Sequence, residues 1–127
     1  MIEWTGVLAL LDKPTGDGRA LATPERLLSR PLPLPLFTLD GPVGSINQLS
    51  IHGDQLRAEG TARDGILTPE RPELPVGLDA DQTEYEAFGQ GVIFTRWRIV
   101  GATLLTDATA SGPWPEAVIR LKEDGRD

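Results

Sequence analysis

The single histidine of this chain, His52, is its one candidate for an imidazole general base. The chain contains no cysteine, which excludes a thiol nucleophile, a disulfide framework and a thiolate zinc site, and one histidine cannot build a multi-histidine metal site. Ser111 could supply an alcohol to His52, since a serine hydroxyl becomes a useful nucleophile only beside a base. The two residues are far apart in sequence, and two unrelated polar residues are the favoured interpretation.

Four carboxylates follow one another closely at Asp79, Asp81, Glu84 and Glu86. Hard cations such as Ca²⁺ favour clustered oxygen ligands, so this segment could chelate one. The i, i+2 spacing of the first two acids also places them on one face of a strand, as a solvated face requires. The solvated face is favoured, and we predict neither a metal nor another cofactor.

The net charge and the hydropathy of this chain argue against nucleic acid and membranes as its partners. The chain carries 19 acidic and 12 basic residues, a net charge of −7, and its only lysines are Lys13 and Lys122. Phosphate contacts need clustered Lys and Arg, so nucleic acid is an unfavourable partner. No apolar run approaches 18 residues and no basic segment precedes an apolar one at the N-terminus. We therefore expect no membrane span and no secretory leader, and a protein made and used in a cytoplasm or in a particle assembled there.

The elements that must position these residues are predicted to be short strands joined by tight turns. With 14 glycines and 11 prolines in 127 residues, the chain suits one mainly-β domain, residues 1–127, better than a helical bundle. Strands are predicted at 3–11, 32–37, 45–51, 55–61, 91–97, 99–106 and 116–121, with a bulge near Asn47. The fold class predicted is a small β-barrel with one or two short helices.

Three segments carry more specific expectations. Thr23-Pro24-Glu25 resembles a helix start, with Thr23 as N-cap, and Pro31 must end that helix. Segment 76–88 is ambiguous between an exposed strand and a short helix. Residues 107–115 are predicted to be a loop, and 122–127 a mobile tail.

Leucine and proline alternate from Pro31 to Leu36. Because proline cannot donate to a ladder, this pattern predicts an edge or barrel-rim strand with its leucines facing inward. A polyproline II ligand for an aromatic groove is the competing interpretation.

The three tryptophans receive different predictions. Trp4 and Trp97 are expected in the core. Trp114 lies between Pro113 and Pro115 in a loop, so we expect it to be exposed and to anchor an interface. Asp17, between two glycines, is expected to cap its own turn through an Asx hydrogen bond.

Several motifs together resemble the prohead (capsid maturation) proteases of tailed bacteriophages, most closely forms from phages of actinobacteria. They are Trp4-x-Gly6, Thr15-Gly16-Asp17-Gly18-Arg19, Pro31-Leu32-Pro33-Leu34-Pro35-Leu36 and Phe94-Thr95-Arg96-x-Arg98-Ile99-x-Gly101-Ala102-Thr103-Leu104. The resemblance covers most of the chain and is strongest over 4–36, 43–61 and 92–121. It implies the compact barrel that this family shares with herpesvirus assemblins.

The chain departs from the family at both catalytic positions. The family's histidine segment follows the Pro-Leu-Pro-Leu strand, but here residues 37–42 lead directly into Val43-Gly44-Ser45-Ile46 without a histidine. The family's nucleophile strand resembles Val-Ser-Val-Asp-Leu-Asp, and the nearest match places Gly77 at the serine. A Ser–His mechanism needs both groups. The resemblance therefore implies a protease fold without its chemistry.

The resulting prediction is a virion structural protein, not an enzyme: a decoration (cement) protein that binds the phage major capsid protein on the capsid exterior, after assembly in the bacterial host cytoplasm. Loops 37–44, 64–76 and 107–115 are the expected contact elements. Trp114, Gly41, Pro42, Pro113 and Pro115 are the interface candidates, and a trimer matches the shell's three-fold sites. The alternatives are an active maturation protease with a rearranged site and an assembly-phase scaffold or chaperone.

Overall fold

The computed structural model describes residues 1–106 and 112–122, and the regular structure in these ranges is all β-strand. Its eight strands are β1 (Ile2–Leu10), β2 (Arg19–Leu21), β3 (Leu34–Thr38), β4 (Gly41–His52), β5 (Gln55–Ala62), β6 (Glu73–Phe88), β7 (Gly91–Leu104) and β8 (Val118–Leu121). Seven of them close into a barrel in the order β7-β3-β4-β5-β1-β8-β6, because β6 pairs back with β7. The predicted mainly-β small barrel is confirmed.

Alternation of apolar and polar residues explains why these segments form barrel strands. In β3, Leu34, Leu36 and Thr38 are buried, while Pro35 and Phe37 between them are half-buried. In β5, Leu56, Ala58, Gly60 and Ala62 are buried in the same period of two. Removing a leucine side chain from water stabilises the fold by about 1.5–3 kcal/mol, so the inward faces hold the barrel together.

The Pro-Leu segment was predicted to be an edge or barrel-rim strand, and the edge alternative is wrong. β3 pairs with β4 on one side and, in parallel, with β7 on the other. The ladder to β7 contains only Leu36 and Phe37, which follow the last proline and so keep their N–H groups. Leu32, which was expected to face inward, lies before the strand and is 45% exposed.

The short helices are also absent from the described residues. Where the helix was predicted, the backbone pairs with β7 instead: Ile99 donates to the carbonyl of Leu28, and Arg30 donates to the carbonyl of Ile99. A local cap preference is worth about 1 kcal/mol, and the tertiary pairing overrides it here.

The ambiguous segment 76–88 belongs to β6, a strand of 16 residues. The two strands predicted at 91–97 and 99–106 form one 14-residue strand, β7. β6 and β7 pair antiparallel from Val76 and Leu104 to the turn between Phe88 and Gly91. The opposite edge of β7 is covered in succession by β2, Ser29 and β3.

The seam of the barrel is closed by β8, which pairs with β1 on one side and with Glu73–Pro75 of β6 on the other. Trp4 and Trp97 are buried as predicted, and their indole N–H groups donate to the carbonyls of Thr61 and Ala22. The predicted bulge near Asn47 is confirmed by a register shift between Ile46 and Gln48.

Parts of the predicted loop and tail fall outside the described residues. These are 107–111, which include Ser111, and 123–127. Lys122, the first residue of the predicted tail, donates its backbone N–H to the carbonyl of Glu3. Within the described ranges, no helix has the length and apolarity to cross a bilayer.

Candidate functional site

The far half of the β6–β7 hairpin is exposed along its β6 strand, and we call residues 81–96 the arm. Every residue of β6 from Asp81 to Phe88 is exposed. Tyr85 is 68% exposed and packs edge-on against Phe94, with ring centroids 6.2 Å apart and planes at 64°. The exposed ring of Tyr85 is available for contact with a partner, whereas Phe94 is half-buried and packs against the core.

The turn of the arm is fixed to the barrel by two glycines from distant segments. Gly18 has φ of 82°, and its carbonyl accepts a 3.0 Å hydrogen bond from the N–H of Val92. A Cβ added to Gly91 would lie 1.8 Å from the carbonyl oxygen of Gly18, so only glycine fits at position 91. The positive φ of Gly18 and its contact with Gly91 give a structural reason for the second glycine of the Gly-Asp-Gly sequence.

Asp17 is held by side chains rather than by the predicted Asx hydrogen bond. Its carboxylate accepts hydrogen bonds from the Arg19 guanidinium, at 2.8 and 2.5 Å, and from the Thr15 hydroxyl. The Arg19 and Thr15 hydrogen bonds lower the pKa of Asp17 to about 2. The backbone N–H of Arg19 is bound instead by the Thr15 hydroxyl, at 3.3 Å.

A cleft of about 380 Å³ lies at the mouth of the barrel, between the loop that contains Asp17 and the base of the arm. We call it the mouth cleft. Its apolar lining consists of Ala20, Leu21, Leu78, Ala80, Phe94, Pro113 and Trp114, and its polar rim includes Thr15, Asp17, Arg19 and Gln82. Barrel mouths with an apolar floor and a few polar groups are common ligand sites. No sequence motif pointed to this cleft, because its walls come from four separate segments.

The predicted exposure of Trp114 is wrong. Its side chain is 6% exposed, and its indole N–H donates a 2.9 Å hydrogen bond to the carbonyl of Lys13. Pro113 and Pro115 on either side are exposed, as expected for a proline-rich loop. Trp114 closes one end of the mouth cleft and packs with the core, so it cannot be an exposed anchor.

Gly41 and Pro42 lie at the opposite end of the molecule from Trp114. They begin β4, beside the turn that contains Leu39, whose side chain is 84% exposed. Lys13, the partner of Trp114, is bound through a 2.8 Å ion pair to Asp54, just beyond the other end of β4. The twelve residues of β4 therefore separate the two groups of predicted interface residues.

Gly77 lies in β6, where its absent side chain would face Pro113 and the carbonyl of Thr103, both 4.0 Å away. That spacing is ordinary van der Waals contact, so a serine would fit at this position. Beside it, Thr103 donates a 2.9 Å hydrogen bond to Asp79. Neither of these contacts supplies a histidine.

The four acids between positions 79 and 86 of β6 have different partners. Asp81 forms a 2.7 Å ion pair with Arg98, which lowers the pKa of that carboxyl, and lies 3.9 Å from Arg30. Glu84 lies 3.8 Å from Arg96. In the part of the chain that the structure describes, no three acids or histidines come together as a metal site would require.

Sequence reasoning missed one pair that could do chemistry. The Nε2 atom of His52 lies 3.1 Å from the hydroxyl of Ser50, and both residues are on the exposed face of β4. The i, i+2 spacing on a strand was the available signal. Ser111, the partner first considered for His52, lies outside the described residues.

Comparison with protein-family models, with curated proteins and with solved structures gave no match for this chain.

Proposed function

We propose that this chain is a structural protein of a tailed-bacteriophage virion. In this proposal it is a decoration protein, bound to the exterior of the major capsid protein shell and stabilising it. The proposal rests on the motif resemblance to prohead proteases and on the barrel, which is the architecture that the resemblance implies. Affinity for capsid protein is the property that would survive when the catalytic serine and histidine are lost.

The observation that carries the proposal is the character of β6. The resemblance places the protease nucleophile on this strand, but β6 presents Gly77 there and continues into the exposed arm. Among the described residues, the only buried polar side chain is that of Thr38, and the charged groups lie on the surface. A surface of this kind favours binding over acid–base chemistry inside the barrel.

The number of copies of this chain in purified phage particles tests the proposed role as a decoration protein. A decoration protein should be present in mature virions in proportion to the capsomers, measured by gel-band stoichiometry against the major capsid protein. Loss of the chain between procapsid and mature virion would instead identify an assembly-phase scaffold or chaperone. Absence from both particles would remove the proposal.

The proposed oligomer is a trimer, since a binder at three-fold positions gains from matching symmetry and from many weak contacts acting together. Pro42, Pro113 and Pro115 keep the predicted exposure, and the turn beside Pro42, with Leu39 at 84% exposure, is the contact candidate chosen for the test. Sedimentation equilibrium gives the mass, and addition of Leu39→Asp protein to particles lacking the chain tests the turn. Occupancy equal to that of unchanged protein would exclude the turn from the contact.

A second candidate, the maturation protease with a rearranged site, is favoured by the Ser50–His52 hydrogen bond. Incubation of purified protein with procapsids measures cleavage of the capsid precursor, and we expect none. Cleavage that is lost in both Ser50→Ala and His52→Ala, but kept in the control Ser45→Ala on the same strand, would establish the protease. Ser45 is a suitable control because its hydroxyl is bound by Thr61 at 3.1 Å.

A further inference from the structure

Among residues 1–106 and 112–122, one edge of β6 has no neighbouring strand for much of its length. On one side β6 pairs with β7 as far as Phe88. On the other side it pairs with β8 only over Glu73–Pro75, and the N–H of Val76 donates to the carbonyl of Ala117. Beyond Val76, the described residues place no strand on that side. An open edge presents backbone N–H and C=O groups that another extended chain can pair with.

The open edge of β6 borders the mouth cleft. Leu78, Ala80 and Gln82, at alternate positions of β6, all line the cleft. The facing wall is formed by the Asp17 loop and by Pro113 and Trp114. A strand added beside β6 would therefore point every second side chain into the cleft of about 380 Å³, which has an apolar floor and a polar rim.

We propose that the open edge of β6 and the mouth cleft together bind an extended peptide by strand addition. Backbone hydrogen bonds to β6 supply affinity, and the cleft selects apolar side chains at alternate positions of the peptide. The inference rests on the proposed function only in taking the peptide from the shell protein.

The acidic residues of β6 favour a peptide from another protein, and not a second copy of this chain, as the strand that pairs with its open edge. β6 carries Asp79, Asp81, Glu84 and Glu86 and no basic residue. Two copies of this edge paired antiparallel would bring acidic segments together, and like charges on neighbouring strands are destabilising. Asp81 is neutralised by Arg98, but Glu84 has only a loose 3.8 Å contact with Arg96. The occupant is therefore a peptide with Lys or Arg placed to face Glu84 and Glu86.

The backbone part of the proposal is tested on the unchanged protein with synthetic peptides. The probe is a capped nine-residue peptide in which valine or leucine alternates with threonine or lysine. Calorimetry should give saturable binding, and amide chemical shifts should move at residues 78–88. The control is the same peptide with N-methyl groups on alternate residues, which removes the ladder donors and keeps the side chains. Equal affinity for the two peptides, or shifts confined to another surface, would overturn the proposal.

The cleft and charge parts are tested by variants. Ala80→Trp fills the cleft and should abolish binding, while Leu39→Trp, at the far end of the molecule, should leave it unchanged.

Glu86→Lys should weaken binding of the lysine peptide by about threefold, the scale of an exposed ion pair. Glu70→Lys, an exposed acid elsewhere, serves as its matched control. If Ala80→Trp lowers the melting temperature, the other two measurements still test the inference. The inference is contradicted if Glu86→Lys binds the lysine peptide as tightly as the unchanged protein does, and if the unchanged protein binds the methylated peptide as tightly as the unmethylated one.

Failure of this inference differs from failure of the proposed function. If the chain decorates capsids but ignores these peptides, the shell is bound by another surface. If the chain binds the peptides and is absent from virions, the open edge is a peptide site with a different source.

Discussion

The carboxyl group of Asp17 is an exposed group with a clear dependence on pH. Hydrogen bonds from Arg19 and Thr15 lower its pKa from 3.8 to about 2. Because the folded pKa is the lower one, the contribution of this group to stability is present above pH 3.8 and is lost as the pH falls through about 2.

We predict that Arg19→Gln raises the pKa of Asp17 toward 3.8, measured by NMR titration of its carboxyl carbon. The pKa of Asp54 serves as the control, because it is lowered by Lys13 and not by Arg19. An Asp17 midpoint that stays near 2 in the variant would show that Arg19 is not the cause.

The burial of Trp114 could not be predicted from the residue types around it. The prolines on both sides of it predicted a rigid exposed loop, and both prolines are exposed. The indole itself is buried because it finds an acceptor at Lys13, about a hundred positions away. No local pattern encodes that contact, since it exists only after β1 and the segment 112–117 have been brought together.

At the scale of elements, two leucines in and before β3 test whether this strand packs its side chains into the barrel. Leu34 is 2% exposed and Leu32 is 45% exposed, although both belong to the same Leu-Pro repeat. Leu34→Asp should unfold the protein, since losing a core leucine costs about 2–5 kcal/mol before the buried carboxylate is counted. Leu32→Asp should change stability by less than about 0.5 kcal/mol. Thermal melts of the two variants check this, and equal melting would contradict the inward packing of β3.

The contact between Gly18 and Gly91 makes a second prediction about elements. Gly91→Ala would force the turn of the arm away from the Asp17 loop, and we expect a loss of about 1–3 kcal/mol. Hydrogen exchange should also accelerate at β2, which pairs with β7 immediately after Gly91. Gly16→Ala is the control, because nothing lies within 4 Å of its added Cβ. A stable variant with protected β2 amides would refute the contact.

At the scale of the whole molecule, periodicity and turn residues were sufficient to predict the fold class and the β4–β5 hairpin with its bulge. They were not sufficient to predict that β6 and β7 form one long hairpin, because its register depends on pairing between residues of the two strands. The mouth cleft was likewise unpredictable, because Leu21, Leu78, Phe94 and Trp114 become neighbours only when the barrel closes. The strand pairing of the described residues, which no motif predicted, leaves one edge of β6 without a neighbour beyond Val76.

The position of β8 between β1 and β6 has a consequence for synthesis on the ribosome. β1 and β5, which pair with each other, are synthesised before β8, so the other edge of β1 must wait for residues 118–121, made at about 5–20 residues per second. Until then the nascent barrel exposes two strand edges and part of its core. We predict that a chain ending at residue 117 aggregates where the full chain stays soluble, measured by sedimentation after expression. The synthesis of β8 thus decides when both edges of β1 are protected from other nascent chains.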